Sequence, residues 1–260
     1  MIRKRIIGVI TVRDGWAVQS FGYGRWLPMG HPHVIAENLD RWGVDEILLV
    51  AIDRSKAGLG PDYATLERVA QNGLSTPLVY SGGIRSAADA GRAISLGADR
   101  IVCDALLHDD PQAAMHVGDA IGTQAVIAHL PVSNEGGVLH WLDHRSKVSR
   151  PLTQADRDLL TSGWFSEVML TDWQHEGHSG AFDASIPGLI GIDTPLILFG
   201  GISEGEQARA LLTDPQVAAI GVGNFLSYTE HAVQHLREAI DGEELRPSVY
   251  KVEKVTTYVG

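Results

Sequence analysis

Two glycine pairs carry the plainest chemistry in the chain. Gly82-Gly83 and Gly200-Gly201 stand in the same local order: an apolar run, Gly-Gly-Ile, then a polar segment that opens a helical pattern. Glycines closing a strand let backbone N–H groups approach an anion, and a helix start beyond them adds the positive end of its dipole. A single pair is explained equally well by tight-turn geometry, but the recurrence favours a ligand with a phosphate at either end. Gly223 and Asn224, in "GVGNF", stand beside the second pair. Proton exchange could come from His129, near the end of "QAVIAHL", and from Glu176 and His178 in "WQHEGH". An imidazole titrates near neutral pH, at about 6.5. His175-x-x-His178 has no third ligand nearby in sequence, so no metal is expected, and no cofactor is expected either. Alternation along a strand puts Asp104 on the side of Arg100 and Val102, and puts Thr11 on the side of Arg5, Ile7 and Val9.

The elements that must hold these groups follow from periodicity. Short apolar runs at 5–12, 46–52, 78–83, 100–105, 124–130, 167–173, 196–201 and 218–225 read as strands, and segments of helical period lie between them. Ser86 and Ser203 are expected to cap helices, and Gly242 to close the last one. Eight βα units in this length make an α/β fold of the (β/α)₈ TIM-barrel type the first choice, ahead of a doubly wound sheet. "VSNEGGVLHWLDHRSKVS" breaks the rhythm and reads as a hairpin inserted after the fifth strand, about residues 132–149. The Gly-Gly-Ile units repeat, and "DEILLVAIDRSKAGLGPDY" matches "SEVMLTDWQHEGHSGAFD", pairing Glu46 with Glu167 and Asp62 with Asp183. The barrel is therefore read as two similar half-barrels. It forms one domain over 1–241, with a tail at 242–260 whose alternating Val, Tyr and Lys suit an edge strand or a partner-binding arm.

Composition narrows the function. The 260 residues, 44% hydrophobic, can bury one large core. A net charge of -11 supplies no basic face for nucleic acid. Cys103 is the only cysteine, which excludes a disulfide framework, fits a reducing compartment, and in "RIVCDAL" reads as a buried, inert thiol. The apolar stretch after Arg3, Lys4 and Arg5 is too short for a signal peptide or a membrane span, so a cytoplasmic protein is expected.

From "KRIIGVITVRDG" through "GVDEILLVAID", "SGGIRS" and "LGADRIV" to "EVMLTD", "EGHSGAFD" and "FGGIS", the chain resembles the cyclase subunit family of imidazole glycerol phosphate synthase. That family is a duplicated half-barrel that receives ammonia from a glutaminase of the Cys-His-Glu type. The resemblance implies a glutaminase partner, a phosphosugar-like substrate, and an ammonia gate formed by Arg5, Glu46, Arg100 and Glu167. It also implies a partner contact at Asp99. Its two catalytic aspartates fall on Thr11 and at or beside Pro131, so neither acid is present. A family asparagine falls on Asp104, a family aspartate on Ala51, and the loop "DRDGT" on "QHEGH".

Three functions fit these residues. The first is a divergent subunit using ammonia on an altered substrate, with Thr11, Asp104, His129, Glu176 and His178 as its catalytic set. The second is a conduit or scaffold that feeds a separate enzyme amidating a surface sugar. The third, another phosphosugar lyase or isomerase, is the weakest, because such barrels rely on acids at the same strand ends. Without the resemblance, four charges at a barrel rim read first as a salt-bridge plug; with it, a gate is the better reading.

Overall fold

The computed structural model describes residues 3–228, 231–240 and 245–246. Gly242 and residues 247–260 of the tail lie outside the described residues. The strands, in chain order, are β1 (Arg5–Arg13), β2 (Trp16–Phe21), β3 (Arg25–Gly30), β4 (Glu46–Ala51), β5 (Leu78–Ser81), β6 (Arg100–Cys103), β7 (Val126–Glu135), β8 (Val138–Asp143), β9 (Val148–Pro151), β10 (Glu167–Asp172), β11 (Leu196–Phe199) and β12 (Val217–Val222). The helices are α1 (Pro32–Trp42), α2 (Tyr63–Ala70), α3 (Ala87–Ser95), α4 (Ala105–Asp109), α5 (Pro111–Ile121), α6 (Gln154–Leu160), α7 (Ile186–Ile190), α8 (Gly205–Leu212) and α9 (Ala232–Ile240).

Eight parallel strands close a barrel in the order β1, β4, β5, β6, β7, β10, β11, β12 and back to β1. The fold is the (β/α)₈ barrel expected from the βα rhythm. Alternate residues on these strands point inward, as the pleat requires. Ile7, Val9, Leu48, Val79, Val102, Ile127, Met169, Ile197, Phe199 and Ala219 fill the interior as an apolar column. The opposite faces pack against the helices in a separate, larger core.

Strand ends differ from the sequence reading in instructive ways. β5 and β11 stop at Ser81 and Phe199 because Gly82, Gly83, Gly200 and Gly201 have φ of 120°, 70°, 100° and 83°, outside the strand region. β7 starts two residues later than expected, after a short 3₁₀ turn, and runs on through Pro131 to Glu135 because β8 pairs with it antiparallel. The last strand ends at Val222, and Asn224–Ser227 is a 3₁₀ turn. Ser86 accepts from Asp89 N as the cap of α3, as expected. Ser203 does not cap α8: Glu204 holds the cap position, and the Ser203 hydroxyl instead accepts from Gly180 N at 2.8 Å.

Two antiparallel extensions decorate the end of the barrel at which the parallel strands terminate. β8 and β9 continue from β7, turning first at Gly136-Gly137. The second extension, the β2–β3 hairpin, is absent from the sequence reading. It leaves β1 at Asp14-Gly15, turns at Gly22-Tyr23-Gly24 and crosses the mouth. Two groups on the far half-barrel pin it. The Asn224 side chain accepts from Ser20 N at 3.2 Å and donates to Ser20 O at 2.6 Å. The buried Glu176 carboxylate accepts from Ser20 Oγ at 3.0 Å and Tyr23 N at 3.3 Å. Gly177 permits this approach: its φ is 82°, and a Cβ there would overlap Ser20 O and lie 2.9 Å from Phe21 Cα. Gly177→Ala is therefore expected to cost about 1–3 kcal/mol and to expose the 22–24 turn to limited proteolysis. An unchanged cleavage pattern would show that the hairpin does not depend on this contact.

Candidate functional site

The N-terminal end of the barrel is closed by charge. Arg5 donates from Nη1 to Glu46 at 2.8 Å and from Nη2 to Glu167. Arg100 donates to the same two carboxylates, at 3.4 Å and 2.5 Å, and to Ser166 Oγ at 2.8 Å. Each Arg thus bridges both Glu, and the four side chains, 6–14% exposed, form one closed ring beneath the apolar column. Burial opposes the Arg5 charge, but Glu46 and Glu167 outweigh it and raise its pKa. At Glu46 the balance is reversed: burial keeps its carboxyl above the ordinary value despite both guanidiniums. Desolvation therefore cancels much of the attraction in this ring. Asp99 stands beside it, accepting from Leu78 N at 2.8 Å with an exposed side chain.

At the opposite end, a cavity of about 340 Å³ opens between the two hairpins. Active sites of this fold sit on this face because the βα loops converge there. Asp104, at the end of β6, and His129, on β7, both line the cavity with Pro131 and Gly82. His129 Nδ1 lies 3.6 Å from Asp104 Oδ2, and its Nε2 is hydrogen-bonded to Thr171 Oγ1 at 2.8 Å. Tyr23 descends from the hairpin onto the top of the column and lines the cavity. Burial, with Glu176 and Asp104 nearby, holds the Tyr23 phenol well above its usual range. A carboxylate, an imidazole and the Thr171 hydroxyl thus stand in line from the cavity wall toward β10.

His144, at the β8–β9 turn, completes the group. Its Nδ1 lies 3.3 Å from Asp104 Oδ2 but is not aligned to bond it. Its neighbours hold it there: Arg145 clamps Asp109 of α4 through two bonds of 2.5 and 2.8 Å and reaches Asp143 at 3.0 Å. Burial raises the Asp143 carboxyl, and the bonds from Arg145 overcome it, bringing it to about 2. Burial likewise works against the Asp104 charge, but His129, His144 and His108 outweigh it and hold the carboxyl below its ordinary value. Asp104 is accordingly an anion at neutral pH.

The expected catalytic residues do not converge on one point. Asp104 and His129 line the main cavity; Glu176 and His178 line a separate pocket of about 50 Å³ with Gly201, Ser203, Gly223 and Asn224. Thr11 borders a crevice of about 20 Å³ beside Gly223 and Asn224. Glu176 and Asn224 already spend their polar groups on the hairpin. Gly83 N donates to Ser55 Oγ at 3.2 Å, so the amide that a phosphate would meet has an internal acceptor. Gly200 and Gly82 are pseudo-equivalent, each packed so that a Cβ would overlap the carbonyl of the preceding parallel strand end, Asp172 O or Ala51 O. Sequence reading missed His144, Thr171, Tyr23 and Trp173. The one available signal was "LDHRSK", a His flanked by charges at a hairpin tip.

Comparison with known proteins agrees with this architecture. A protein of Vibrio vulnificus (strain YJ016), provisionally named imidazole glycerol phosphate synthase subunit hisF2, is 24% identical over 238 residues, 89% of this chain and 86% of its own length. The imidazole glycerol phosphate synthase subunit HisF of Thermococcus gammatolerans (strain DSM 15229 / JCM 11827 / EJ3) is 24% identical over 242 residues, 92% of this chain and 95% of its own. HisF of Natranaerobius thermophilus (strain ATCC BAA-1301 / DSM 18059 / JW/NM-WN-LF) is 24% identical over 252 residues, 95% of this chain and 100% of its own. The family model described as "Histidine biosynthesis protein" matches residues 5–232, from the ring arginine of β1 to the start of α9, and the chain belongs to that family.

Proposed function

We propose that the chain is a divergent cyclase-like subunit of a glutamine-dependent amidotransferase. Ammonia released by a glutaminase of the Cys-His-Glu type passes the Arg5–Glu46–Arg100–Glu167 ring, rises through the apolar column and reacts at the mouth with a phosphosugar-type substrate. The observation that carries this reading is the coaxial order of ring, column and His-Asp cluster. A neutral ammonia molecule crosses an apolar column at far lower cost than ammonium, and a ring of alternating charge can admit one while excluding bulk water. The relatives carry the name imidazole glycerol phosphate synthase subunit, which fits such a role. Asp104 and His129 exchange protons at the mouth, while the Gly200-Gly201 turn and Gly223 hold an anionic end of the substrate.

The conduit reading draws on a different observation: Thr11 and Pro131 offer no acid where the resembling family has two. The Asp104–His129–Thr171 network argues against it, since a passive conduit needs no buried carboxylate held ionised at its exit.

The partner is tested by co-purification with a glutaminase encoded in the same gene cluster. A complex burying about 1,600 Å² or more is expected at the ring face, tight enough to seal ammonia from water. Asp99→Arg should weaken it by roughly tenfold, since charge reversal at a rim opposes encounter. If no complex forms, the ring is a structural plug and the ammonia reading falls.

A further inference from the structure

On the outer flank of the barrel, α1, α2 and the turn that leaves β1 enclose a cavity of about 150 Å³ that shares no lining residue with the mouth cavity. The ionisable side chains in its wall are His31, His33 and Arg68, and no carboxylate lines it. In a chain of net charge -11 this is a local reversal of sign. The acids nearby are spent elsewhere. Asp14 pairs with Arg13 at 3.2 Å and Glu37 with Arg41 at 2.6 Å, while Asp62, as the cap of α2, accepts from Thr65 N at 3.1 Å and Thr65 Oγ1 at 2.7 Å. The exposed Arg68 side chain makes no ion pair or hydrogen bond among the described residues. Burial, Arg68 and His31 together lower the pKa of His33, and Glu37 does not reverse the direction. The imidazoles are also held in place. Trp16 stacks on His31 with ring centroids 4.6 Å apart, His31 meets His33 at 5.3 Å, and Asn72 Nδ2 donates to His33 O at 2.8 Å, tying α1 to the segment after α2.

The dipole of α2 accounts for a cation in its last turn, but not for two imidazoles beside it from another element. A divalent metal is opposed by the guanidinium, and no group of three or more His, Cys, Asp or Glu suited to a metal occurs among the described residues. An anion meets all three groups. A phosphate needs donors around a tetrahedron, whereas here they come from one side and the facing wall is Pro32, Ala64 and Val69, which offers carbon. A planar carboxylate suits a guanidinium fork and leaves its carbon body for that wall. We infer that this flank cavity binds a small organic carboxylic acid, its carboxylate held by Arg68 and the His31 and His33 imidazoles. Neither ammonia nor a glutaminase enters the site.

The test uses the full chain alone. Histidine ring C–H resonances, assigned through His31→Gln and His33→Gln, are followed by NMR while succinate, citrate and inorganic phosphate are titrated at fixed ionic strength. At least one carboxylate should saturate below ~10 mM at pH 6, move both resonances and bind at least roughly tenfold more tightly than phosphate. Its affinity should fall by roughly fivefold or more on going to pH 8, as the imidazoles lose their charge. Arg68→Ala should weaken binding by roughly tenfold or more, since the charged fork is lost. Arg68 is exposed and unpaired, so this variant should fold, which circular dichroism checks. Lys56→Ala, which removes a cation of the mouth cavity, should leave binding unchanged. Saturation by neither carboxylate, equal affinity for phosphate, no loss at pH 8, unchanged affinity in Arg68→Ala, or an equal loss in Lys56→Ala would each overturn the inference.

Discussion

Expressed in a histidine auxotroph that lacks the cyclase of imidazole glycerol phosphate synthase, the chain is expected to give no growth without histidine. The reason lies in where protons can be exchanged. β1 and β7 stand four strands apart in an eight-strand ring, so Thr11 and Pro131 face each other across the mouth. A threonine hydroxyl does not exchange a proton usefully near neutral pH, and proline has nothing to ionise. Loss of one general acid or base typically costs about two to four powers of ten in rate, and here both sides are lost. The groups that could substitute cannot restore the opposition. Asp104, His129 and His144 all cluster on the β6, β7 and β8 side, within 3.6 Å of one another through the Asp104 carboxylate. They can work on a ligand from one flank only. Sustained growth in the complementation assay would mean that a proton-transfer pair exists elsewhere and would remove the case for an altered substrate.

The second large effect is structural. Glu167→Ala removes a carboxylate bridged by two buried arginines, leaving Arg5 and Arg100 to share Glu46. An uncompensated buried charge costs about 3–5 kcal/mol, which for a chain of this size lowers Tm by roughly 10 °C. The control is Arg41→Ala. Arg41 pairs with Glu37 across one helical turn, with side chains 51% and 46% exposed, and such pairs contribute at most ~0.5 kcal/mol. Thermal unfolding followed by circular dichroism separates the two. Equal shifts in both variants would show that water reaches the ring freely. Replacement of the whole ring by apolar residues need not destabilise the barrel, because desolvation already offsets much of the attraction, and that contrast would mark the ring as kept for passage rather than for stability.

The barrel was legible in the sequence because parallel strands buried on both faces read as continuous Ile, Val and Leu runs, and because duplication repeated Glu46 at Glu167 and Gly82 at Gly200. Strand boundaries at the glycine pairs were less legible, since hydrophobicity continues where positive φ has already ended the ladder. Ser203 was misread as a cap because its type suits that role, whereas the loop carrying Gly180 approaches closely enough to take its hydroxyl. The β2–β3 hairpin escaped notice because β3, "RWLPMG", carries an internal proline and its side chains are largely exposed, so it shows no alternation. His144 and Thr171 could not be found from spacing at all. They meet Asp104 and His129 only because the inserted strands fold back over the mouth, a tertiary fact with no local signature.

The hairpin that bears Tyr23 has a kinetic consequence. Its turn is held from the opposite half-barrel by the Asn224 amide and the Glu176 carboxylate, while Tyr23 sits between the interior column and the cavity of about 340 Å³ at the mouth. Anything larger than a few atoms that moves between those compartments must wait for several hydrogen bonds to break together. On the proposed reading, traffic across the mouth would be timed by opening of the hairpin rather than by diffusion, and loop motions of this kind run in microseconds to milliseconds. If the proposed passage of ammonia holds, a molecule delivered from below would be retained in the column until the hairpin opens, and the order of arrival would become a property of the hairpin.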